Sequence, residues 1–407
     1  MTTKFFLILF LSLSLFLNSC GSGGGSNIAS SIDSVINGEG GSDGFSLEEK
    51  EFVHSLFSTE YLWFEQVPAN INYAKYTEPQ SMIDALRVDP PDVWSFTMTQ
   101  EEYENYNNQK TAGFGFGYKS DFTIYLVRIN APAYELLYRG DEILEINGQE
   151  VTSTLIKESS DDLNTATTFT LLRDGSEIDV TVTPREYTFS VSLGEIITQG
   201  TQKVGYLRYD AFTESSVAEL EAIFTTFHNA NIDELVIDMR YNGGGSVATA
   251  SVLLDNINNA YPGKRQMYLD WNFNYQQNNS AYTFEDADLQ DGNELTMSRV
   301  FFLTSKGSAS ASEAVINALV PYLGDANIIT IGDVTHGKPV GMTGRTYGLN
   351  YYFLINFLVK NNAAETTSFD GILVTCAAED DLTHLRGDAN ETMFKTALSY
   401  IETGGCP

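Results

Sequence analysis

The second half of the chain alternates short apolar runs with segments of helical spacing, and this alternation restricts the fold more than any other feature. Val204–Arg208 and Glu234–Met239 have the length and apolar content of strands, and Val217–Ala230 between them has the spacing of a helix. Strands that alternate with helices are typical of an α/β architecture. We therefore predict a mixed α/β domain over residues 187–407.

The preceding region, residues 111–186, has a different pattern. Short β-type runs are separated by turn signals such as Asn147-Gly148. The dipeptide Asp174-Gly175 joins two further runs, and this pair between strands is typical of a two-residue hairpin loop. We predict a small β-rich domain here.

Residues 46–110 carry helical spacing and many aromatic side chains. Ser46-Leu-Glu-Glu49 has the form of a capping box, in which a serine caps the helix and a glutamate three residues later returns the hydrogen bond. We predict a small helical N-terminal domain, so the whole chain is expected to be a multidomain α+β protein.

The N-terminus predicts export. A short basic start is followed by the apolar run Phe5–Leu17, which is shorter than the roughly 20 residues of a membrane span and suits a signal-peptide core. The run ends in Leu17-Asn-Ser-Cys20, which resembles the bacterial lipobox. We predict a lipoprotein signal peptide over 1–19, lipidation of Cys20, a Gly/Ser-rich tether over 20–45 and a location in the bacterial cell envelope, anchored to the inner or outer membrane. An ordinary secretory signal with an incidental cysteine is the alternative.

Charge and cysteine content limit the partners. The chain has 23 Lys and Arg against 54 Asp and Glu, a net charge of -31, which would repel nucleic acid and anionic membrane surfaces. Cys376 and Cys406 form an even pair in a compartment that allows disulfides, but sequence cannot show whether their geometry permits a bond. The four histidines have no zinc-site spacing, and the acidic segment Asp286–Glu294 lacks a full EF-hand loop and is interpreted as a solvated loop. We expect neither a metal nor a cofactor.

Three segments have the residue types of a catalytic site. In the first, a turn rich in small residues places Ser310 between the strand-like run Val300–Thr304 and a helix. Free N–H groups at a helix N-terminus favour a developing oxyanion, so Ser310 is a candidate nucleophile. Because Ser310-Ala-Ser-Glu313 is also a capping box, Ser310 as a simple helix cap is the alternative.

The second segment contains Lys338 between a glycine and a proline, and the third is the glycine-rich turn Asp238–Gly245. Burial would lower the pKa of Lys338, so that its neutral amine could accept a proton from a serine; a surface lysine is the alternative. Glycines in the turn allow close approach of the backbone to a ligand. The turn lacks the Gly-Lys-Ser/Thr ending of a phosphate loop.

Together and in this order, the three segments resemble the C-terminal processing, or tail-specific, serine peptidases of bacteria and plastids. The resemblance covers about residues 111–400 and implies an α/β (crotonase/ClpP-like) peptidase domain. It implies that Ser310 is the nucleophile, Lys338 the general base, and the N–H groups of Gly244 and Ala311 the oxyanion hole. The substrate implied is a polypeptide.

The region 111–186 resembles the PDZ domain of the same family. The resemblance rests on Gly113-Phe-Gly-Phe-Gly117 and on the segment from Ala131 to Gly148. It implies peptide binding by strand addition, with the peptide carboxylate held by loop amides at Gly113, Phe114, Gly115 and Phe116.

One departure from the family pattern concerns Met342. Many members have a glutamine four residues after the lysine, and this glutamine orients the lysine. In this chain Thr335 and Tyr347 are the side chains that could take over that role. The alternative function is a catalytically weak peptide-binding lipoprotein of the same fold. A carbohydrate-active envelope enzyme is disfavoured because no carboxylate pair stands in a recognisable site.

Overall fold

The computed structural model describes residues 44–285 and 291–407. The predicted signal peptide, Cys20 and nearly all of the predicted tether lie outside the described residues, as does the 286–290 part of the acidic segment. Within the described ranges, no helix has both the length and the apolar content needed to cross a membrane.

The first helices share an apolar core with strands from the C-terminal half. Ser46 accepts a hydrogen bond from the Glu49 N–H at 3.1 Å, which confirms the predicted helix start. The buried side chains of the first two helices pack in one cluster with Met342 and Phe353. The elements of this part are α1 (Leu47–Thr59), α2 (Pro79–Leu86), β1 (Phe96–Thr99) and α3 (Gln100–Asn107).

Residues 110–188 form a β-rich unit with one helix. Its elements are β2 (Lys110–Gly113), β3 (Phe116–Tyr118), β4 (Ile124–Val127), β5 (Glu142–Ile146), β6 (Gln149–Glu150), α4 (Ser153–Asp161), β7 (Thr167–Arg173), β8 (Ser176–Val182) and β9 (Arg185–Thr188). Four strands make a sheet in the order β6-β5-β7-β8, while β2 pairs with β9 and β3 with β4. Asp174 and Gly175 connect β7 and β8 with φ of 50° and 76°, which confirms the predicted hairpin, since type I′ turns require positive φ at both central residues.

The remaining residues form a mixed α/β unit around a six-stranded sheet. Its elements are β10 (Ser192–Gln199), β11 (Gln202–Tyr209), α5 (Ser216–Ala230), β12 (Glu234–Asp238), α6 (Val247–Ile257), β13 (Arg265–Trp271), β14 (Ser280–Thr283), β15 (Val300–Thr304), α7 (Ala311–Leu323), β16 (Ile328–Gly332), β17 (Val340–Tyr347), β18 (Asn350–Lys360), β19 (Cys376–Ala377) and α8 (Thr392–Thr403). The sheet order is β10-β11-β12-β15-β16-β19. β10 and β11 are antiparallel, and the other neighbours are parallel.

A second sheet joins the N-terminal elements to the α/β unit. β1 pairs with β18, which also pairs with β13 and β17, and β14 lies beyond β13. Phe96 on β1 lies opposite Phe353 on β18, and their rings stack with centroids 4.9 Å apart. Residues 46–110 therefore contact the same strands that follow Lys338 in the chain.

The C-terminal segment is attached covalently. Cys376 and Cys406, whose pairing the sequence left open, form a disulfide with a Cα–Cα distance of 5.6 Å. The bond ties the residues after α8 to the edge strand β19. Short 3-10 helices complete the description at Phe64–Gln66, Tyr73–Lys75, Phe273–Asn278 and Asp325–Asn327.

Candidate active site

Ser310 lies at a sharp turn between strand β15 and helix α7. Its backbone has φ 56° and ψ -113°, and its side chain is partly exposed. This combination lies outside the regions that L-residues ordinarily occupy, and it persists only where the surroundings hold it. A residue that merely caps a helix usually has extended backbone with negative φ. Ser310 does form the predicted capping box with Glu313, and in addition its backbone has the strained strand-to-helix geometry that can expose a serine hydroxyl.

A single buried carboxylate connects Ser310 to the loop that carries Lys338. Glu313 accepts a hydrogen bond from the Ser310 N–H at 3.0 Å. It also accepts from the N–H groups of Gly337 at 2.7 Å and Lys338 at 2.8 Å, and from the Thr335 hydroxyl at 2.6 Å. Glu313 is completely buried. The four donors fix the two candidate catalytic segments relative to each other.

Lys338 is 2% exposed. Burial lowers its pKa from 10.5 to about 7, against the opposing charges of Asp92 and Glu313. Its Nζ atom lies 5.8 Å from the centroid of the Trp94 ring. A lysine whose pKa is near neutrality can act as a general base, because a large fraction of its amine is unprotonated at pH 7.

The glycine-rich turn approaches Ser310 closely. A Cβ atom added to Gly244, whose φ is 106°, would lie 2.8 Å from Ser310 Cβ and 2.9 Å from the Ala311 nitrogen. Only glycine fits here, for both steric and conformational reasons. The Gly244 N–H donates to Asn242 Oδ1 at 2.9 Å, whereas the Ala311 N–H opens helix α7 and has no acceptor within the helix. The structure thus brings together Gly244, Ser310 and Ala311, with Lys338 joined to them through Glu313.

The other predicted binding residues lie in the β-rich unit. Gly113 and Gly115 have φ of 111° and 84°, and Phe114 is 2% exposed with its ring 5.0 Å from that of Phe169. Phe116 begins β3, which pairs with β4. The backbone pairing and ring contacts of these four residues stay within the β-rich unit.

Arg139 links the β-rich unit to the glycine-rich turn. Its guanidinium donates to the Tyr241 hydroxyl at 3.0 Å and to Asp380 Oδ1 at 2.6 Å. Tyr241 directly precedes Asn242, the residue that holds the Gly244 N–H. A displacement of the β-rich unit would therefore act on the turn beside Ser310.

No group of three or more His, Cys, Asp or Glu side chains within residues 44–285 and 291–407 is placed to hold a metal ion.

Comparisons with known proteins identify the family. The sequence model described as peptidase family S41 matches residues 203–359, and that of the peptidase S41 N-terminal domain matches residues 48–96. The chain belongs to peptidase family S41 and carries the N-terminal domain of that family.

Individual relatives are distant. A probable CtpA-like serine protease of Staphylococcus aureus is 25% identical over 334 residues, which cover 78% of this chain and 61% of the relative. One from Staphylococcus saprophyticus is 23% identical over 283 residues, covering 65% of this chain and 53% of its own length. The chain thus spans less than two thirds of these relatives.

Among solved structures, a putative S41 protease from Bacteroides fragilis has the same fold. It has a TM-score of 0.75 and 24% identity, and the match covers 87% of this chain and 97% of that one. The mixed α/β fold with several sheets is therefore that of S41 proteases.

Two features of the site were not anticipated from sequence. Glu313 was interpreted only as part of a helix cap, although its capping position already indicated a carboxylate close to Ser310. Asp92 and Trp94 reach Lys338 from a segment more than 240 positions earlier, and no local pattern indicates a contact over that distance.

Proposed function

We propose that this protein is a lipid-anchored serine endopeptidase of the bacterial cell envelope that cleaves envelope or unfolded polypeptides near their C-termini. One observation carries the proposal: a strained, partly exposed Ser310 is tied through the buried Glu313 to a buried Lys338 of lowered pKa. Membership of peptidase family S41 supports the same activity.

In the proposed mechanism, the neutral amine of Lys338 accepts the proton of Ser310 as its Oγ attacks a peptide carbonyl. The ammonium then donates this proton to the leaving amine, which leaves an acyl-enzyme. Lys338, neutral again, deprotonates the water that attacks the ester, and the resulting ammonium returns this proton to Ser310 Oγ as the ester bond breaks and the product acid leaves. Neither a metal nor an organic cofactor is part of these steps.

The oxyanion hole requires a change in the glycine-rich turn. The Ala311 N–H and the Gly244 N–H are the proposed donors to the oxyanion. Gly244 donates to Asn242 Oδ1 in the present structure, so this bond must be exchanged for one to the substrate. We propose that substrate binding reorients the Gly244 peptide, and that the resting turn has lower activity.

Residues 111–186 are proposed to act as a PDZ-like peptide-binding domain, in front of the peptidase domain over 187–407. The positive φ angles of Gly113 and Gly115 support a loop whose amides hold a peptide carboxylate, with the peptide added as a strand. The contact of Arg139 with Tyr241 and Asp380 supports communication between peptide binding and the turn.

The envelope location is proposed from the sequence of residues 1–45. Cys20→Ser should prevent lipidation and move the protein from the membrane fraction to the soluble fraction of a bacterial host. Labelling with a palmitate analogue measures the modification directly, and labelling of the Cys20→Ser protein would contradict the assignment.

The activity is tested by digestion of casein with fragments identified by mass spectrometry. We expect cleavage by the wild type and none by Ser310→Ala or Lys338→Ala. Lys306→Ala is the matched control, because Lys306 is an exposed lysine of the same turn and its loss should leave cleavage intact. Cleavage by Ser310→Ala at the wild-type rate would reject the proposal. Three folded but inert proteins would instead favour the peptide-binding lipoprotein.

A further inference from the structure

Trp94, in the N-terminal part of the chain, contacts the loop of the proposed general base. Its indole N–H donates to His336 Nε2 at 3.0 Å, and its ring centroid lies 5.8 Å from Lys338 Nζ. The ring of Phe369 stacks on that of Trp94, with their centroids 6.3 Å apart. Because an indole N–H can only donate, His336 Nε2 is the acceptor in this contact.

Asp92 is a completely buried carboxylate two residues before Trp94. Its Oδ1 accepts from the N–H groups of Trp94 and Ser95, both at 2.9 Å. Its Oδ2 accepts from the Tyr61 hydroxyl at 2.8 Å and the Ser95 hydroxyl at 2.6 Å. Four donors hold the carboxylate in one orientation.

Met342 lies in an apolar environment. Met342 is completely buried, lies opposite Ile355 in the sheet, and packs in the apolar cluster that includes the buried side chains of α1 and α2. The amide of a glutamine at this position would lose its hydrogen bonds to water in that cluster unless it found partners there. The N-terminal segment that covers position 342 also brings Asp92 and Trp94 to Lys338.

We propose that Asp92 and Trp94 are positioning residues for Lys338 and replace the glutamine that many relatives carry at position 342. The Trp94 ring covers the ammonium and holds the loop through His336, and Asp92 supplies a fixed negative charge. This inference rests on the proposed role of Lys338 as the general base. The charged groups that act on Lys338 are Asp92 and Glu313, and the titratable side chain beside it on the same loop is His336, which accepts from Trp94.

The proposal predicts the effect of removing each component. Asp92→Asn keeps the shape, and its amide can donate to the hydroxyls of Tyr61 and Ser95, but the negative charge is lost. The ammonium of Lys338 is then less stable, so its pKa should fall by about one unit. The acidic limb of the pH profile of kcat/KM should move to lower pH by the same amount.

The direct test is an NMR titration of Lys338 with ¹³Cε-labelled lysine in full-length protein. Ser310→Ala is the background, and Lys338→Met identifies the signal. Tyr61→Phe is the matched control, because it removes one hydrogen bond to Asp92 and leaves the charge in place. We expect a lower Lys338 pKa in Asp92→Asn and little change in Tyr61→Phe. The pH profiles of the same two variants, made with Ser310 intact, should shift in parallel.

An unchanged Lys338 pKa in Asp92→Asn, or an equal shift in Tyr61→Phe, would overturn the proposal. If Asp92→Asn does not fold, Trp94→Leu and Trp94→Phe replace it: Trp94→Leu should lower the Lys338 pKa, and Trp94→Phe, which keeps an aromatic face, should lower it less. Equal pKa values in these two variants would also overturn the proposal. The titration does not depend on turnover, so an inactive wild type would reject the peptidase function without deciding the role of Asp92.

Discussion

Arg240 and Lys338 are two buried cations in the α/β unit, and their surroundings shift their pKa values in opposite directions. Arg240 donates to Asp238 at 3.0 Å, to Asp380 at 2.7 Å and to both oxygens of Glu391 at 2.8 and 2.9 Å. Among the described residues, no carboxylate oxygen lies within hydrogen-bonding distance of Lys338 Nζ, which faces the Trp94 ring. Both side chains are almost completely buried.

The pKa values reflect this difference. Burial alone would lower the pKa of Arg240, but Asp238 and Glu391 outweigh it and hold the pKa well above its usual range. Burial dominates at Lys338 and lowers its pKa to about 7. Burial therefore creates a reactive group only where pairing is incomplete, and full pairing makes the cation a fixed part of the framework.

The ion-pair network around Arg240 lies at the start of the glycine-rich turn. Arg386 donates to Asp238 at 3.0 Å and to Asp210 at 2.6 Å, so two arginines and three or more carboxylates surround the start of the glycine-rich turn. A rigid start to the turn keeps Gly244 in contact with Ser310. The paired network supports the turn, while the unpaired lysine is available for proton transfer.

The largest expected effect comes from breaking the paired network. Arg240→Met would leave Asp238 and Glu391 buried without their main partner, so we expect a loss of about 3–5 kcal/mol in the free energy of unfolding. Urea denaturation at pH 7 measures it. The matched control is Arg87→Met, which removes an ion pair with the half-exposed Asp84 and should cost less than about 1 kcal/mol. Similar losses of stability in both variants would show that a buried ion pair contributes no more to the free energy of unfolding than an exposed one.

Replacement of Lys338 is expected to increase the free energy of unfolding, by less than replacement of Arg240 decreases it. Its lowered pKa means that the folded state binds the proton less tightly than the unfolded state. Stability is therefore reduced below about pH 7 and rises as the pH increases from about 7 toward 10.5. Lys338→Met should be more stable than the wild type by about 2–4 kcal/mol at pH 6, with a smaller advantage at pH 9.5.

The measurement for Lys338 is urea denaturation at these two pH values. Lys306→Met, at the exposed lysine of the Ser310 turn, is the control and should show no such pH-dependent gain. A destabilised Lys338→Met at both pH values would mean that the amine has a partner as strong as those of Arg240, and the contrast between the two cations would fail.

Sequence predicted local structure where short-range rules determine it. The cap at Ser46, the hairpin at Asp174-Gly175 and the strand–helix alternation after residue 187 depend on residues within a few positions of each other, and all three are present. The three candidate catalytic segments were also found, because each combines small residues and a functional group in a short run. Their catalytic roles remain predictions.

Long-range pairing was not predictable in the same way. β1 pairs with β18 about 250 positions later, and neither strand's sequence specifies its partner. The contact of Trp94 with Lys338 follows from that pairing, and so does the apolar environment of Met342. The sequence showed that the lysine lacked its usual glutamine, but Thr335 is engaged with Glu313, and the groups near the amine come from a segment that only tertiary structure could identify.

The smallest expected effect concerns a buried acid, Asp255, for which the described part of the chain provides no ion-pair partner. Asp255 lines a cavity of about 100 Å³ together with Glu221, Glu285, Asp291 and Glu294. Burial, with repulsion from Glu285 and Glu294, raises its pKa from 3.8 to about 7. The folded state therefore binds this proton more tightly than the unfolded state, so stability is highest below about pH 4 and falls as the pH rises toward 7.

Asp255→Asn keeps an oxygen for the hydrogen bonds from Gln266 and the Glu285 N–H and removes the charge. We expect a gain of about 1–2 kcal/mol at pH 8 and almost none at pH 4.5, measured by urea denaturation. The control is Asp270→Asn, which loses the ion pair to Lys360 at 2.6 Å and should be slightly destabilised at pH 8. If both variants lose stability, the absence of a cation does not determine the behaviour of Asp255. A gain in stability in Asp255→Asn alone would mean that a buried acid behaves like Lys338. In both cases the folded state is destabilised by a buried charge that has no ion-pair partner.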